Sequence, residues 1–504
     1  MAKALAVYRN FNGGLTESAP DNMKDNELSL ARNAVPDEVG GIMKVNGIAP
    51  ISATLLPEVP DILIEFGEDE SNVEYLAFGN KKMFKWDGTI ISTALNGSPL
   101  DWDIYNNKLY FLDGTKFWVY DGTTLTEAVK PTGTSTDTWN FIKSCDFIEQ
   151  RGQRHFYAKK GSSLLYYSDI GDPQAVADAN VIKAVTDDVD NITALIEYGG
   201  SLLVFKRNAI FRWSGWDPVT DVRFDKIISH TGTVSQYSVV RVEGMLIFVG
   251  DDGVYALTSP FPEQLSTVNL SRNKIEKIIR KAKNKDKIRA SYCNGVYRVS
   301  LSNHEDFTNN VEYRLYLGIT EEDAGSWFGD FTFPISFYCN SNYSNEMFMC
   351  SPGKKKIFKC AGETANPYLY DGEPIPYKVT LKPFDLVGQM VRDSRVKRFY
   401  LAAKQFLAQE SSIKVTLKAD YREKAWEVNL DESMVWEKGI WGESMWGWTD
   451  LITKEINIGG LGKAKRVQVT IENNEADEPV LLYGVGFMYK PRKPRANRAG
   501  VEEV

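Results

Sequence analysis

Glu74-Tyr-Leu-Ala-Phe-Gly-Asn-Lys-Lys-Met-Phe-Lys-Trp86 is a short aliphatic and aromatic run, a Gly-Asn turn, and a second such run. Trp102-Asp-Ile-Tyr-Asn-Asn-Lys-Leu-Tyr-Phe111 and Arg241-Val-Glu-Gly-Met-Leu-Ile-Phe-Val249 say the same thing. Alternation at period two, bounded by turn residues, is the sequence form of an antiparallel hairpin. One hairpin cannot bury its own apolar face, so many in succession predict radial or linear repetition. A β-propeller is the simplest closed answer. The 39 glycines and the 12% aromatic share favour strands and tight turns over helix throughout.

Working outward, the hairpin region spans 61–372. Its candidate units lie near 62–100, 102–130, 139–190, 192–235, 238–300 and 311–362, which makes six within a range of five to seven. Asp87-Gly88, Asp113-Gly114, Asp121-Gly122 and Asp252-Gly253 mark turns. The spacing is too uneven for a WD or kelch array. One stretch breaks the pattern. In Leu270 to Asn284, Ile275, Ile278, Ile279 and Ala282 share a helical face, while Lys274, Lys277, Arg280, Lys281 and Lys283 crowd the rest. An inserted helix near 270–284 is expected there, packed on a sheet by its isoleucines or turning its cations toward nucleic-acid phosphate.

Residues 1–60 read as an extended N-terminal arm or a capping strand of the propeller. Prolines 20, 36, 50, 57 and 60 break it, and Glu27 to Asn33 are expected to make one or two helical turns. From 373 to 489 the pattern becomes alternating strands with polar outer faces, such as Ile413-Lys-Val-Thr-Leu-Lys-Ala419 and Arg466-Val-Gln-Val-Thr-Ile471, which fits a separate β-sandwich. Its Gly-rich loop carries Trp436, Trp441, Trp446 and Trp448, a large apolar area for its own domain or a neighbouring subunit. Residues 490–504 form a flexible basic tail.

Chemistry is harder to find. There is no phosphate loop, G-x-S-x-G or H-E-x-x-H motif. His155, His230 and His304 lie far apart, and five cysteines with no C-x-x-C pair argue against zinc. No metal or other cofactor is expected. Paired carboxylates are the serious enzymatic option, since some propellers hydrolyse sugars with two acids at the central mouth. Asp101 with Asp103, Asp169 with Asp172, and Asp187-Asp188-Val-Asp190 are the candidates, although most sit where turn capping explains them. The net charge of −8 argues against generic nucleic-acid binding. No apolar run approaches the roughly 20 residues of a membrane helix, and the apolar stretch in Met1-Ala-Lys-Ala-Leu-Ala-Val-Tyr-Arg9 is too short for a secretory signal, so a soluble protein made in the cytoplasm is expected.

The N-terminal Phe11-Asn-Gly-Gly-Leu-Thr-Glu-Ser-Ala-Pro20, Leu28-Ser-Leu-Ala-Arg-Asn33 and Glu38-Val-Gly-Gly-Ile-Met-Lys-Val-Asn-Gly47 resemble the arm opening many bacteriophage tail-nozzle and packaged-DNA stabilisation proteins. Leu461 to Ile471 and Tyr483-Gly-Val-Gly-Phe-Met-Tyr489 look like the domain that closes such chains. Lys44-Val-Asn-Gly47 departs from such chains, in which an arginine more often precedes the glycine. The resemblance implies an all-β, non-enzymatic virion protein assembled in the host cytoplasm. Six copies would form a ring in the tail below the portal and adaptor, its lumen passing double-stranded DNA. Trp436, Trp441, Trp446, Trp448, Phe11 and Leu15 would then be subunit-interface residues, and Lys274, Lys277, Arg280, Lys281 and Lys283 would face DNA. The competing expectation is a carbohydrate-binding or glycan-cleaving propeller at the tail tip.

Overall fold

The computed structural model describes residues 3–67, 69–183, 191–215, 223–259, 267–303, 308–318, 325–360, 368–387, 393–406, 411–430, 451–458 and 461–491. The chain is all-β, and it divides into two compact units. The first holds Met1–Ile48, Tyr316–Phe331 and Ala361–Val504; the second holds Ala49–Leu315 and Thr332–Cys360.

The second unit is a succession of antiparallel sheets of the kind that make a β-propeller. Five have four strands each, beginning with Ile62–Phe66, Asp101–Tyr105, Phe147–Arg151, Ile192–Tyr198 and Val240–Val242. A sixth contributes Arg289–Cys293, Val296–Leu301 and Val311–Tyr316, and a seventh Phe337–Asn340, Met347–Cys350 and Ile357–Cys360. Two-residue turns join many strand pairs. At Asn106-Asn107, Glu243-Gly244 and Asn294-Gly295 both residues have positive φ, the geometry that matches strand twist.

Each sheet covers its neighbours, so its middle strands are apolar on both faces; Ser201–Lys206 is buried at every position. Rings mark the contacts between successive sheets. Phe78 meets Phe111 at 5.3 Å, Phe117 meets Tyr157 at 5.8 Å, Phe156 meets Trp213 at 4.4 Å and Phe205 meets Phe248 at 5.3 Å. The seventh sheet returns to the first, where Tyr75 and Phe348 lie 4.8 Å apart. The chain segment entering the unit ties the same junction, as Ile51 N–H donates to Ile357 O and Leu56 N–H to Lys355 O, both at 2.9 Å.

The six-unit partition differs from these sheets at two places. Residues 238–300 hold strands of the fifth and sixth sheets, and 311–362 hold strands of the sixth and seventh. The segment between the fifth and sixth sheets hid the boundary. Its helix is only Glu276–Lys281, bracketed by Asn273 and Asn284 in the left-handed region, which ends helical geometry on both sides. Ile275, Ile279 and Ala282 are buried as the periodicity required.

Close approach sets one glycine. A Cβ on Gly232 would lie 1.8 Å from the backbone oxygen of Lys206. Gly232→Ala must push two backbones apart, and we expect a loss of about 1–3 kcal/mol, read as a lower denaturant midpoint with an unchanged slope.

The first unit contains two sheets. One orders Gly14–Leu15, Glu27–Arg32, Tyr377–Leu381, Val467–Asn473, Ser412–Ala419 and Arg422–Asn429. The other orders Ala34–Pro36, Ile42–Lys44, Leu481–Pro491, Ser394–Lys404 and Leu451–Asn457, with Ala4–Arg9 paired to Leu481–Pro491. Tyr8 stacks on Phe384 at 4.0 Å, and Phe487 packs against Phe384 and Phe399 at 5.5 and 5.4 Å. Residues 3–48 are thus built into these sheets rather than extended as an arm. Glu27–Arg32 is a strand, not helical turns, because its pairing with Lys378 to Leu381 outweighs its local pattern. Lys44 is fully buried and donates from Nζ to Asn473 Oδ1 at 2.7 Å and Glu475 O at 3.1 Å. Burial lowers its pKa to about 8, against the pull of Glu478, Asp477 and Glu475.

Candidate functional site

The first strands of the second, third and fourth sheets lie beside one another in turn, as do those of the fifth, sixth, seventh and first. Three of them carry an Ile-Glu pair: Ile64-Glu65, Ile148-Glu149 and Ile196-Glu197. In each the isoleucine and glutamate point to opposite faces, and the glutamate serves as an acceptor. Glu65 Oε2 accepts from Asn342 N–H at 2.7 Å, and Glu149 Oε1 accepts from Glu197 N–H at 2.8 Å. Glu197 Oε1 accepts from Gly200 N–H at 2.7 Å, within its own hairpin. Asp101 does the same job in the second sheet, its Oδ2 accepting from Ile148 N–H at 3.0 Å. Glu65, Asp101 and Glu149 therefore tie one sheet to the next. Glu65 and Glu149 escaped the sequence reading, although the repeated Ile-Glu dipeptide was a signal for them.

A short turn, Gln236–Ser238, brings the fifth sheet to the second across the middle. Gln236 Nε2 donates to Leu195 O at 3.0 Å and to Asp101 Oδ2 at 3.3 Å, while its Oε1 accepts from Leu195 N–H at 2.9 Å. Tyr237 hydroxyl donates to Leu100 O. Its ring stacks on Trp102 at 5.5 Å and meets Phe337 at 5.5 Å edge-on, and the Arg289 guanidinium lies 4.6 Å from its centre. These groups line a cavity of roughly 400 Å³. Side chains from four sheets thus meet across the middle.

Burial governs the electrostatics. It pushes Asp101 well above the carboxylate range, against the Ile148 N–H that favours the charged form, and it raises Glu149 to about 8. Arg241 lies 3.6 Å from Glu149, but the arginine side chain is 56% exposed, so solvent weakens its pull and burial prevails. Asp103, two residues from Asp101, turns to His155 Nε2 at 2.9 Å; the histidine is fully buried and packs against Tyr105. The proposed acid pair is thus divided between two separate structural contacts. Asp169 and Asp172 form an isolated bridge, with Asp172 Oδ1 accepting from Gln174 N–H at 2.9 Å as in turn capping. Asp187, Asp188, Asp190 and His304 lie outside the described residues, and His230 stands exposed after the fourth sheet. Among the described residues no cluster of three or more His, Cys, Asp or Glu could hold a metal ion.

Of the residues proposed for a subunit interface, Phe11 and Leu15 are buried in the first unit's own core, at 2% and 8% exposure, and so offer no surface to another subunit. Trp436, Trp441, Trp446 and Trp448 lie outside the described residues, as does the tail beyond 491. Lys277, Arg280, Lys281 and Lys283 are exposed and Lys274 half-buried; Arg280 pairs with Glu276 at 2.5 Å. The five cysteines are free thiols, with Cys145, Cys339 and Cys350 buried.

Residues 82–294 match the family model described as "Bacteriophage P22 Gp10, beta-propeller". No curated protein matches the chain. Among solved structures, the chain is similar to the WD40 domain of Neurospora crassa Pan2 (9% identity over 63% of this chain and 95% of that one, TM-score 0.39). It is also similar to the Cps50 (Swd1) beta-propeller domain of Myceliophteria thermophila (12% identity, 62% and 98%, TM-score 0.41). The extracellular domain of BT4673 from B. thetaiotaomicron is another (12% identity, 63% of this chain, TM-score 0.40), and the chain spans 39% of its length.

Proposed function

We propose that the chain is a structural protein of a bacteriophage tail, a ring component that continues or closes the DNA channel below portal and adaptor. The match of residues 82–294 to the phage P22 Gp10 propeller family carries this reading. The chemistry at the centre supports it. Glu65, Asp101 and Glu149 are spent on N–H groups of neighbouring sheets, as a rigid scaffold requires and a hydrolytic centre does not.

In this reading the second unit is a seven-bladed propeller, and the two sheets of the first unit are a β-sandwich. In the same reading Trp102 and Tyr237 close the propeller centre, and the DNA lumen lies between copies, six of them, packed side by side. Trp436, Trp441, Trp446 and Trp448 anchor one copy on the next. Lys277, Arg280, Lys281 and Lys283 meet passing phosphates without reading sequence. The net charge of −8 keeps that contact sparse, so that a packed duplex slides.

Sedimentation of the purified protein tests this. A single species near six times 56.8 kDa is expected, falling to smaller species when Trp441 and Trp446 are both changed to Ala. A monomer at micromolar concentration that binds glycans would overturn it in favour of the tail-tip alternative.

A further inference from the structure

On the rim of the second unit, the hairpin ends of the third and fourth sheets enclose a groove of roughly 970 Å³. Arg151, Arg154, Arg223 and Trp213 line it, with Glu197 at one side and Ile170, 64% exposed, at its edge. Arg151 ends the strand Phe147–Arg151, and its partner across the turn is Arg154. That register sets two guanidiniums at one hairpin tip, where like charges raise each other's energy unless an anion joins them.

Among the described residues no carboxylate joins the two: Glu197, at the groove's side, accepts from Gly200 N–H and pairs with Arg241. Arg151 Nε donates to Gly200 O at 2.9 Å and a terminal nitrogen to Gly215 O at 2.8 Å, fixing the fork with carbonyl dipoles. Its guanidinium lies 5.4 Å from the Trp213 ring centre. Arg154 donates to Ser168 O at 2.7 Å and sits over Tyr167 at 5.6 Å. Among the described residues no carboxylate lies within 4.0 Å of Arg151, Arg154 or Arg223. Both anchored guanidiniums keep N–H groups unused by these bonds. Trp213, 2% exposed, forms a buried apolar wall beneath the Arg151 guanidinium.

We propose that this groove binds a phosphate-type oxyanion carried on a small molecule. A phosphate offers enough oxygens for two guanidinium forks at once, and planar forks suit that geometry. The groove is much larger than a bare phosphate, and Ile170 at its edge gives the body of such a ligand an apolar contact. The proposal goes beyond the tail reading and does not depend on it.

Calorimetric titration of the full-length protein with pyrophosphate at low salt tests it. Saturable one-site binding is expected, weakened at least tenfold by Arg154→Gln and also by Arg223→Gln, a change at an exposed side chain. Short duplex DNA added as competitor should not displace the pyrophosphate. No heat at millimolar pyrophosphate, or binding that both variants leave unchanged, overturns the site. Displacement by duplex with the same sensitivity to the variants overturns the small-molecule assignment in favour of a nucleic-acid backbone.

Discussion

Glu312→Ala is expected to destabilise the second unit by about 3–5 kcal/mol, the cost of taking one partner from a buried ion cluster. Glu312 has 1% side-chain exposure, and its Oε1 takes Arg314 Nε and, at 3.4 Å, Arg298. Its Oε2 accepts the Tyr338 hydroxyl at 2.6 Å. Burial raises this carboxyl's pKa, yet the two arginines outweigh it and hold the group below its ordinary value. Because Tyr338 lies on the first strand of the seventh sheet, the cluster also holds the sixth sheet to the seventh. Removing the carboxylate takes from Arg314 and the partly buried Arg298 the charge that they share and loosens that junction. Thermal melting followed by circular dichroism should show the loss as a drop of several degrees. Replacing Glu312, Arg298 and Arg314 together by apolar residues of similar size should recover much of it, since a buried ion cluster costs desolvation that apolar packing does not. A Glu312→Ala variant melting with the parent would show the cluster to be energetically idle.

Raising the pH from about 5 to 8.5 is expected to weaken the second unit by a few kcal/mol. In the folded protein Glu149 stays protonated up to about 8, whereas unfolded it ionises near its ordinary 4.5. Between those values the folded state binds more protons, so stability falls as pH rises, by roughly 1.4 kcal/mol per unit of pH for each such group. Below the lower value the contribution is fully present; above the upper one it is gone. Asp101 is shifted in the same direction and adds to the slope. Glu149→Gln keeps the acceptor for Glu197 N–H and removes the titrating group, so it should flatten the slope and be the more stable protein at pH 8.5. Urea midpoints across that range decide the matter; parallel curves for parent and variant would mean that Glu149 ionises at its ordinary pH in the folded protein.

Both predictions concern junctions between sheets, and junctions are where the sequence was hardest to read. Hairpins such as Trp102 to Phe111 were legible because alternation and Asn-Asn turns are local. The C-terminal strands were legible for the same reason, with Ile413 to Ala419 appearing as Ser412–Ala419. Glu27–Arg32 was not, since its partner lies some 350 residues away in Tyr377–Leu381, and no local pattern announces such pairing. The boundary inside 238–300 was lost because the short helix and its flanking turns blurred one sheet into the next. At the centre, Asp101 and Asp103 drew notice as an acid pair, but the structure sends one to Ile148 N–H and the other to His155. Gln236, Tyr237 and Arg289 drew none. A turn that reaches across a ring to a sheet more than a hundred residues earlier leaves no periodic trace.

Electron cryomicroscopy of the purified assembly tests the central claim most directly. A ring of copies is expected, with its lumen between neighbouring subunits and each propeller closed at its own middle by Trp102 and Tyr237. Single, unassembled molecules, or an open bore through the individual propeller, would contradict it.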